Sequence, residues 1–184
     1  MRVIAGSARG MRLARVPPGT RPVSDRAREG LFSSLGPEVE GAAVLDLFAG
    51  TDALGIEALS RGASRVTFVD SVFCAVSAIR ENLRRTRLPG PAEVRRGDAE
   101  RFLRRTEDRF DLALLDPPYA LAGPELDAIL AEIAGQGVVR PGGAVVLTRP
   151  KASYIPVIPV HWTLERRLSY GDTVVLLFRV PQQQ

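Results

Sequence analysis

Ala43-Val44-Leu45-Asp46-Leu47-Phe48-Ala49-Gly50-Thr51-Asp52-Ala53-Leu54-Gly55 passes from an apolar run, through one acid, into a turn of small residues and then into a helical pattern. A short apolar run has the length of a buried strand, and a small-residue turn opening a helix is the βα corner of an open α/β sheet. Outward from this stretch the alternation repeats. The pattern predicts strand 43–48, helix 53–61, strand 65–70, helix 73–86, strand 92–97, helix 99–105, strand 110–115, helix 124–134 and strand 143–148. Strands separated by helices pair in parallel, so the prediction is a doubly wound α/β sheet covered on both faces.

After Pro150 the pattern changes. Trp162 to Leu168 and Thr173 to Phe178 are strand-like and joined across Tyr170-Gly171-Asp172, with no room for a crossover helix, so they are expected to pair antiparallel at the sheet edge. That brings the sheet to seven strands. At the amino end, Val3-Ile4-Ala5-Gly6 and Met11-Arg12-Leu13-Ala14 predict a β-hairpin closed by Pro17-Pro18-Gly19. A helix then opens at Ser24, a serine N-cap, with Ala27, Leu31 and Leu35 on one face. Residues 1–40 are thus expected to form an extension, and residues 41–181 the main domain.

At 184 residues and 45% hydrophobic, the chain has room for one good core. No stretch approaches the ~20 apolar residues of a membrane helix, and the start lacks a signal peptide's apolar region, so a cytoplasmic protein is expected. Cys74 and His161 are the only residues of their kinds, which argues against a disulfide or a metal site. Cys74 itself is expected to be a small buried apolar group. Residues 1–28 hold seven arginines (Arg2, Arg9, Arg12, Arg15, Arg21, Arg26 and Arg28) against Asp25 alone, while the remainder is nearly balanced. Such an excess suits phosphate contacts, although many charge runs are only solvated faces.

Asp46, Asp70 and Asp98 fall at three successive predicted strand ends, together outlining a nucleoside-shaped pocket, where a carboxylate such as Asp70 can accept hydrogen bonds from ribose hydroxyls. Taken singly, Asp70 and Asp98 each fit a helix cap better than a ligand contact. The turn after Asp46 lacks G-x-G-x-x-G, the dinucleotide pattern. Leu115-Asp116-Pro117-Pro118-Tyr119 ends the fourth strand. Two prolines there remove N–H donors, stiffen the backbone and leave carbonyls toward the crevice. An exocyclic amine needs such acceptors: the Asp116 side chain and the Pro117 carbonyl would aim its lone pair, and Tyr119 offers a face on which the base can stack. The alternative is a rigid strand-to-loop exit.

Five parallel strands and a terminal hairpin resemble the Rossmann-like class I methyltransferases, and D-P-P-Y is similar to the amino-methyltransferase signature. Leu45 to Gly62, including Leu54-Gly55-Ile56-Glu57-Ala58-Leu59-Ser60-Arg61-Gly62, resembles the RsmD family of bacterial 16S rRNA guanine-N2 methyltransferases. So do Arg2-Val3-Ile4-Ala5-Gly6, the segment Thr20 to Glu29 and Tyr170-Gly171-Asp172-Thr173. The resemblance implies S-adenosylmethionine as cofactor. Asp46 and the turn Phe48-Ala49-Gly50-Thr51 would then hold its methionine end, Asp70 the ribose, and Asp98 with Ala99 the adenine. Asp116, Pro117, Pro118 and Tyr119 would hold the target guanine. Arg9, Arg21, Ser24, Arg26 and Arg28 would grip RNA, the partner being 16S rRNA in the 30S subunit or an assembly intermediate.

The chain departs from the pattern at Asp52, where the family turn usually has glycine. It departs again at Thr148-Arg149, where a glutamate commonly ends the fifth strand, and at Val72-Phe73-Cys74, more apolar than usual. Two other functions fit the same residues. A DNA adenine or cytosine amino-methyltransferase would use D-P-P-Y equally well, but the chain has no separate target-recognition domain. A catalytically weak RNA-binding assembly factor is suggested by Asp52. Cytosine C5 chemistry needs a thiolate, and Cys74 lies far along the chain from the D-P-P-Y loop.

Overall fold

A computed structural model describes residues 1–14, 22–50, 53–88 and 90–182. The predicted Pro17-Pro18-Gly19 turn, together with Arg21, Thr51 and Asp52, lies outside the described residues. The elements run α1 (Asp25–Leu35), β1 (Ala43–Leu47), α2 (Ala53–Ser60), β2 (Arg65–Asp70), α3 (Phe73–Thr86), β3 (Ala92–Arg96) and α4 (Ala99–Arg105). They continue with β4 (Phe110–Leu115), α5 (Gly123–Gly135), β5 (Val139–Pro150), β6 (Thr163–Tyr170) and β7 (Thr173–Arg179). None of the helices is long and apolar enough to cross a membrane among the described residues.

One seven-stranded sheet has the order β3-β2-β1-β4-β5-β7-β6. The first five strands are parallel; β7 pairs antiparallel with β5, and β6 with β7. This is the Rossmann-like class I methyltransferase fold with its terminal hairpin, as predicted. β5 begins earlier than its apolar pattern suggests, because Val139 pairs with Phe110 across a register shift before Leu112. β1 is central and buried at all five positions, which is why its sequence is a continuous apolar run interrupted only by Asp46. Since β1, β2, β4 and β5 run parallel, their carboxyl ends open along one edge.

Side-chain alternation divides the core. Val44, Phe68, Leu112, Leu114 and Val146 face α1, α2 and the amino-terminal segment, while Leu45, Leu47, Ala113, Leu115 and Leu147 face α5 and Trp162. In α1 the Ser24 hydroxyl accepts from the Ala27 amide at 3.2 Å, the predicted cap. Gly30 sits where a Cβ would stand 1.7 Å from the Tyr170 hydroxyl, so the end of β6 packs its tyrosine directly on α1 in the space the glycine leaves. The predicted amino-terminal hairpin shrinks to a single antiparallel bridge between Arg2 and Arg12. Four of its other amides turn to α2: Ile4 and Ala5 donate to Glu57, and Ser7 and Ala8 to Ser60.

Candidate active site

Asp46 is 1% exposed on β1, and its Oδ2 accepts from the Gly55 amide at 2.8 Å. Gly55 permits this approach, because a Cβ there would fall 2.2 Å from the Phe68 ring and 2.8 Å from that same oxygen. Burial pushes the Asp46 carboxyl up to about 8; Asp116 and Asp70 push the same way, against the Gly55 hydrogen bond. Asp70, at the end of β2, uses both oxygens on backbone. Oδ2 accepts from Gly50 and Oδ1 from Val72, each at 2.8 Å. These bonds tie the turn after β1 to β2, and Phe48 within that turn adopts φ 65°, a conformation costing roughly 1–3 kcal/mol for a non-glycine residue.

Asp116 follows β4. Its Oδ1 accepts a hydrogen bond from the Thr148 hydroxyl on β5. Burial pushes the carboxyl up to about 6, while the Thr148 hydrogen bond and the Arg149 charge pull it down. Pro117 is buried and Pro118 exposed, and the Pro118 carbonyl accepts from Leu121 at 3.0 Å, bending the loop back on itself. Tyr119 is 57% exposed, its ring open to an incoming partner. Asp98 is exposed and caps α4, accepting from the Arg101 amide at 2.9 Å, with Ala99 buried behind it. Asp46, Asp70 and Asp116 thus stand together at neighbouring strand ends; Asp98 lies beyond the edge strand β3.

Two expectations are corrected. Arg28 was assigned to RNA, yet it is fully buried: Nη2 donates to the Arg2 carbonyl at 2.8 Å and to Asp25 at 2.7 Å, and Nη1 lies 3.6 Å from Glu57. Its position carried the signal, because Arg28, Leu31, Phe32 and Leu35 follow the helical repeat of the buried stripe of α1. Cys74 is exposed, not buried, because the inward stripe of α3 runs through Ala75, Val76 and Ile79. Arg9, Ser24 and Arg26 are exposed.

Sequence reasoning also missed groups that the structure brings forward. Thr148 and Arg149 stood out in the sequence only as departures; both are buried, and Arg149 keeps Nε and Nη1 without a hydrogen-bond partner among the described residues. A second basic stretch was hidden by the near-neutral average of the chain beyond residue 28: residues 80–105 hold nine arginines against four acids. Most of these arginines lie exposed on α3, β3 and α4, several paired with Glu81, Glu93 or Glu100.

Residues 1–179 match the family described as conserved hypothetical protein 95. YlbH of Bacillus subtilis is 37% identical over 183 residues, covering 97% of this chain and 98% of that protein. The Ribosomal RNA small subunit methyltransferase D of Escherichia coli K12 is 32% identical over 181 residues, covering 97% and 89%. This chain belongs to the RsmD-like methyltransferase family. The solved structure of yhhF from Escherichia coli superimposes with a TM-score of 0.88 at 29% identity, covering 100% of this chain and 99% of that one. The match spans the amino-terminal segment as well as the sheet, so the segment buried against α2 is part of what the family shares.

Proposed function

We propose that this chain methylates the exocyclic N2 amine of a guanine in 16S rRNA of the small ribosomal subunit, using S-adenosylmethionine. The observation that carries the reading is Asp116, a half-buried carboxylate of the D-P-P-Y loop, set at the same strand edge as Asp46 and Asp70. The acids present fit that cofactor. Asp46 is a carboxyl driven up to about 8 by burial, and a group bearing positive ammonium and sulfonium charge would favour its ionised form. Asp70 has lone pairs left after its two backbone bonds, enough to accept from ribose hydroxyls. Phe48, Ala49, Gly50 and Thr51 would line the methionine end, with Asp98 and Ala99 beside the adenine.

The cofactor supplies an electrophilic methyl group. Asp116 and the Pro117 carbonyl accept the two N2 hydrogens, which aims the nitrogen lone pair, and Tyr119 stacks on the base. S-Adenosylmethionine would supply the methyl carbon for the new N–C bond and keep the carbon–sulfur electron pair on its sulfur. The surplus amine proton passes to Asp116 and on to solvent. A carboxyl near 6 is ionised at neutral pH and close enough in proton affinity to take that proton.

RNA is held by the extension, residues 1–40, through exposed Arg9, Ser24 and Arg26, with Arg21 assigned from sequence; residues 41–181 carry the chemistry. The physiological partner is the 30S subunit or an assembly intermediate, in the cytoplasm. The test is methyl transfer to 30S particles from cells lacking the activity, against protein-free rRNA and DNA, followed by nucleoside analysis. N2-methylguanosine from the particles supports the reading; a methylated adenine or cytosine in DNA, or binding without transfer, sinks it.

A further inference from the structure

Thr148 lies 32 positions from Asp116 in sequence and is 1% exposed, yet its hydroxyl donates to Asp116 Oδ1, with the Leu115 carbonyl 3.3 Å away. Among the described residues, Asp116 Oδ2 has no such partner. Two groups of β5, Thr148 and Arg149, act on this carboxylate, and Asp116 together with Asp70 acts in turn on Asp46 of β1. Arg149 is 6% exposed and forms no ion pair with Asp116 among the described residues, but its charge reaches that carboxylate.

We propose that Thr148 is a positioning residue for methyl transfer: its hydroxyl pins Asp116 Oδ1, leaving Oδ2 as the acceptor that orients the target amine. This rests on the reading of the D-P-P-Y loop above. An unpinned carboxylate turns about its last torsion and presents either oxygen, whereas a pinned one presents a single acceptor in one place. Ionisation matters equally. A neutral carboxyl would offer an O–H to the amine nitrogen and engage the lone pair that has to form the new bond. Burial drives Asp116 toward that neutral form, and Thr148 and Arg149 are the groups that oppose it.

The test combines a titration that needs no cofactor with kinetics. In the free protein, carboxyl-carbon NMR follows Asp116, its resonance identified by loss in Asp116→Asn. The wild type and Thr148→Ser are expected to titrate near the same pH, and Thr148→Val and Thr148→Ala higher by roughly half a pH unit or more. On 30S particles, Thr148→Val should move the acid limb of kcat up by the same amount and lower its plateau roughly tenfold. KM for S-adenosylmethionine should stay unchanged, and Thr148→Ser should restore the profile. Thr148→Ala serves if the valine variant folds poorly. An unmoved titration in both variants overturns the proposal, as does a moved titration with an unmoved kcat limb. Absence of transfer by the wild type sinks the underlying reading instead, and the titration still decides whether Thr148 governs Asp116.

Discussion

Two places in this molecule bury charge, and they treat it in opposite ways. Under the amino-terminal segment, Glu57 is saturated: it accepts from the Ile4 and Ala5 amides and from Arg61, with Arg28 within ion-pair range. At the carboxyl edge of the sheet, Asp46 and Asp116 lie buried or half-buried with one hydrogen bond apiece; the buried arginines do not separate the two places, since Arg28 and Arg149 each keep Nε and Nη1 without a hydrogen-bond partner among the described residues. Glu57 is internally satisfied and serves the architecture, fastening the extension to the helix that follows the cofactor turn. The carboxylates at the sheet edge have no such set of partners. A buried carboxylate short of partners stands at the candidate site, whereas the fully partnered carboxylate, Glu57, stands at the joint.

Breaking the site should have the largest effect on chemistry. Asp116→Ala is expected to lower single-turnover methyl transfer by ~10²–10⁴-fold while calorimetric binding of S-adenosylmethionine persists. Comparable turnover in the variant would remove the loop from the mechanism. Breaking the joint should cost stability instead. Arg28→Met removes the buried hydrogen bond to the Arg2 carbonyl and the ion pair with Asp25 and should destabilise by ~1–3 kcal/mol in urea melts, whereas Arg26→Ala, on the exposed side of the same helix, should stay within about 0.5 kcal/mol. Equal losses in the two variants would mean that burial of Arg28 contributes nothing.

The contrast sharpens with pH. Asp46 has a folded-state value near 8 against an unfolded value near 3.8, so the folded state binds the extra proton throughout that window. Stability of the cofactor-free protein should therefore be greatest below the unfolded value and fall as pH rises toward 8, by at most ~1.4 kcal/mol per unit for one proton. Asp46→Asn should flatten that slope and weaken cofactor binding. A slope unchanged by the substitution would show that Asp46 is not the group responsible. The smallest effect belongs to the surface: replacing Arg9 and Arg26 should lower the salt slope of RNA binding by about one unit per lost phosphate contact, with the melting temperature unmoved.

Sequence by itself determined the alternation of strands and helices, the antiparallel hairpin after Pro150, the Ser24 cap and the placing of Asp46, Asp70 and Asp116 at strand ends. These are local matters, set by side-chain period, by turn residues and by the direction a βαβ unit imposes. Tertiary structure alone decided which element covers each face. It paired Thr148 with Asp116 across 32 positions and brought Ile4 to Glu57 across 53. It also turned the Ile4, Ala5, Ser7 and Ala8 amides of the predicted hairpin to α2, leaving the cross-strand bonds near Arg2 and Arg12 in place. Arg28 marks the boundary between the two: its helical phase was legible, but that the face would be closed by a partner carboxylate was not. Phase follows from neighbours a few residues away, whereas satisfaction of a buried charge depends on groups that only the folded chain brings within hydrogen-bond reach.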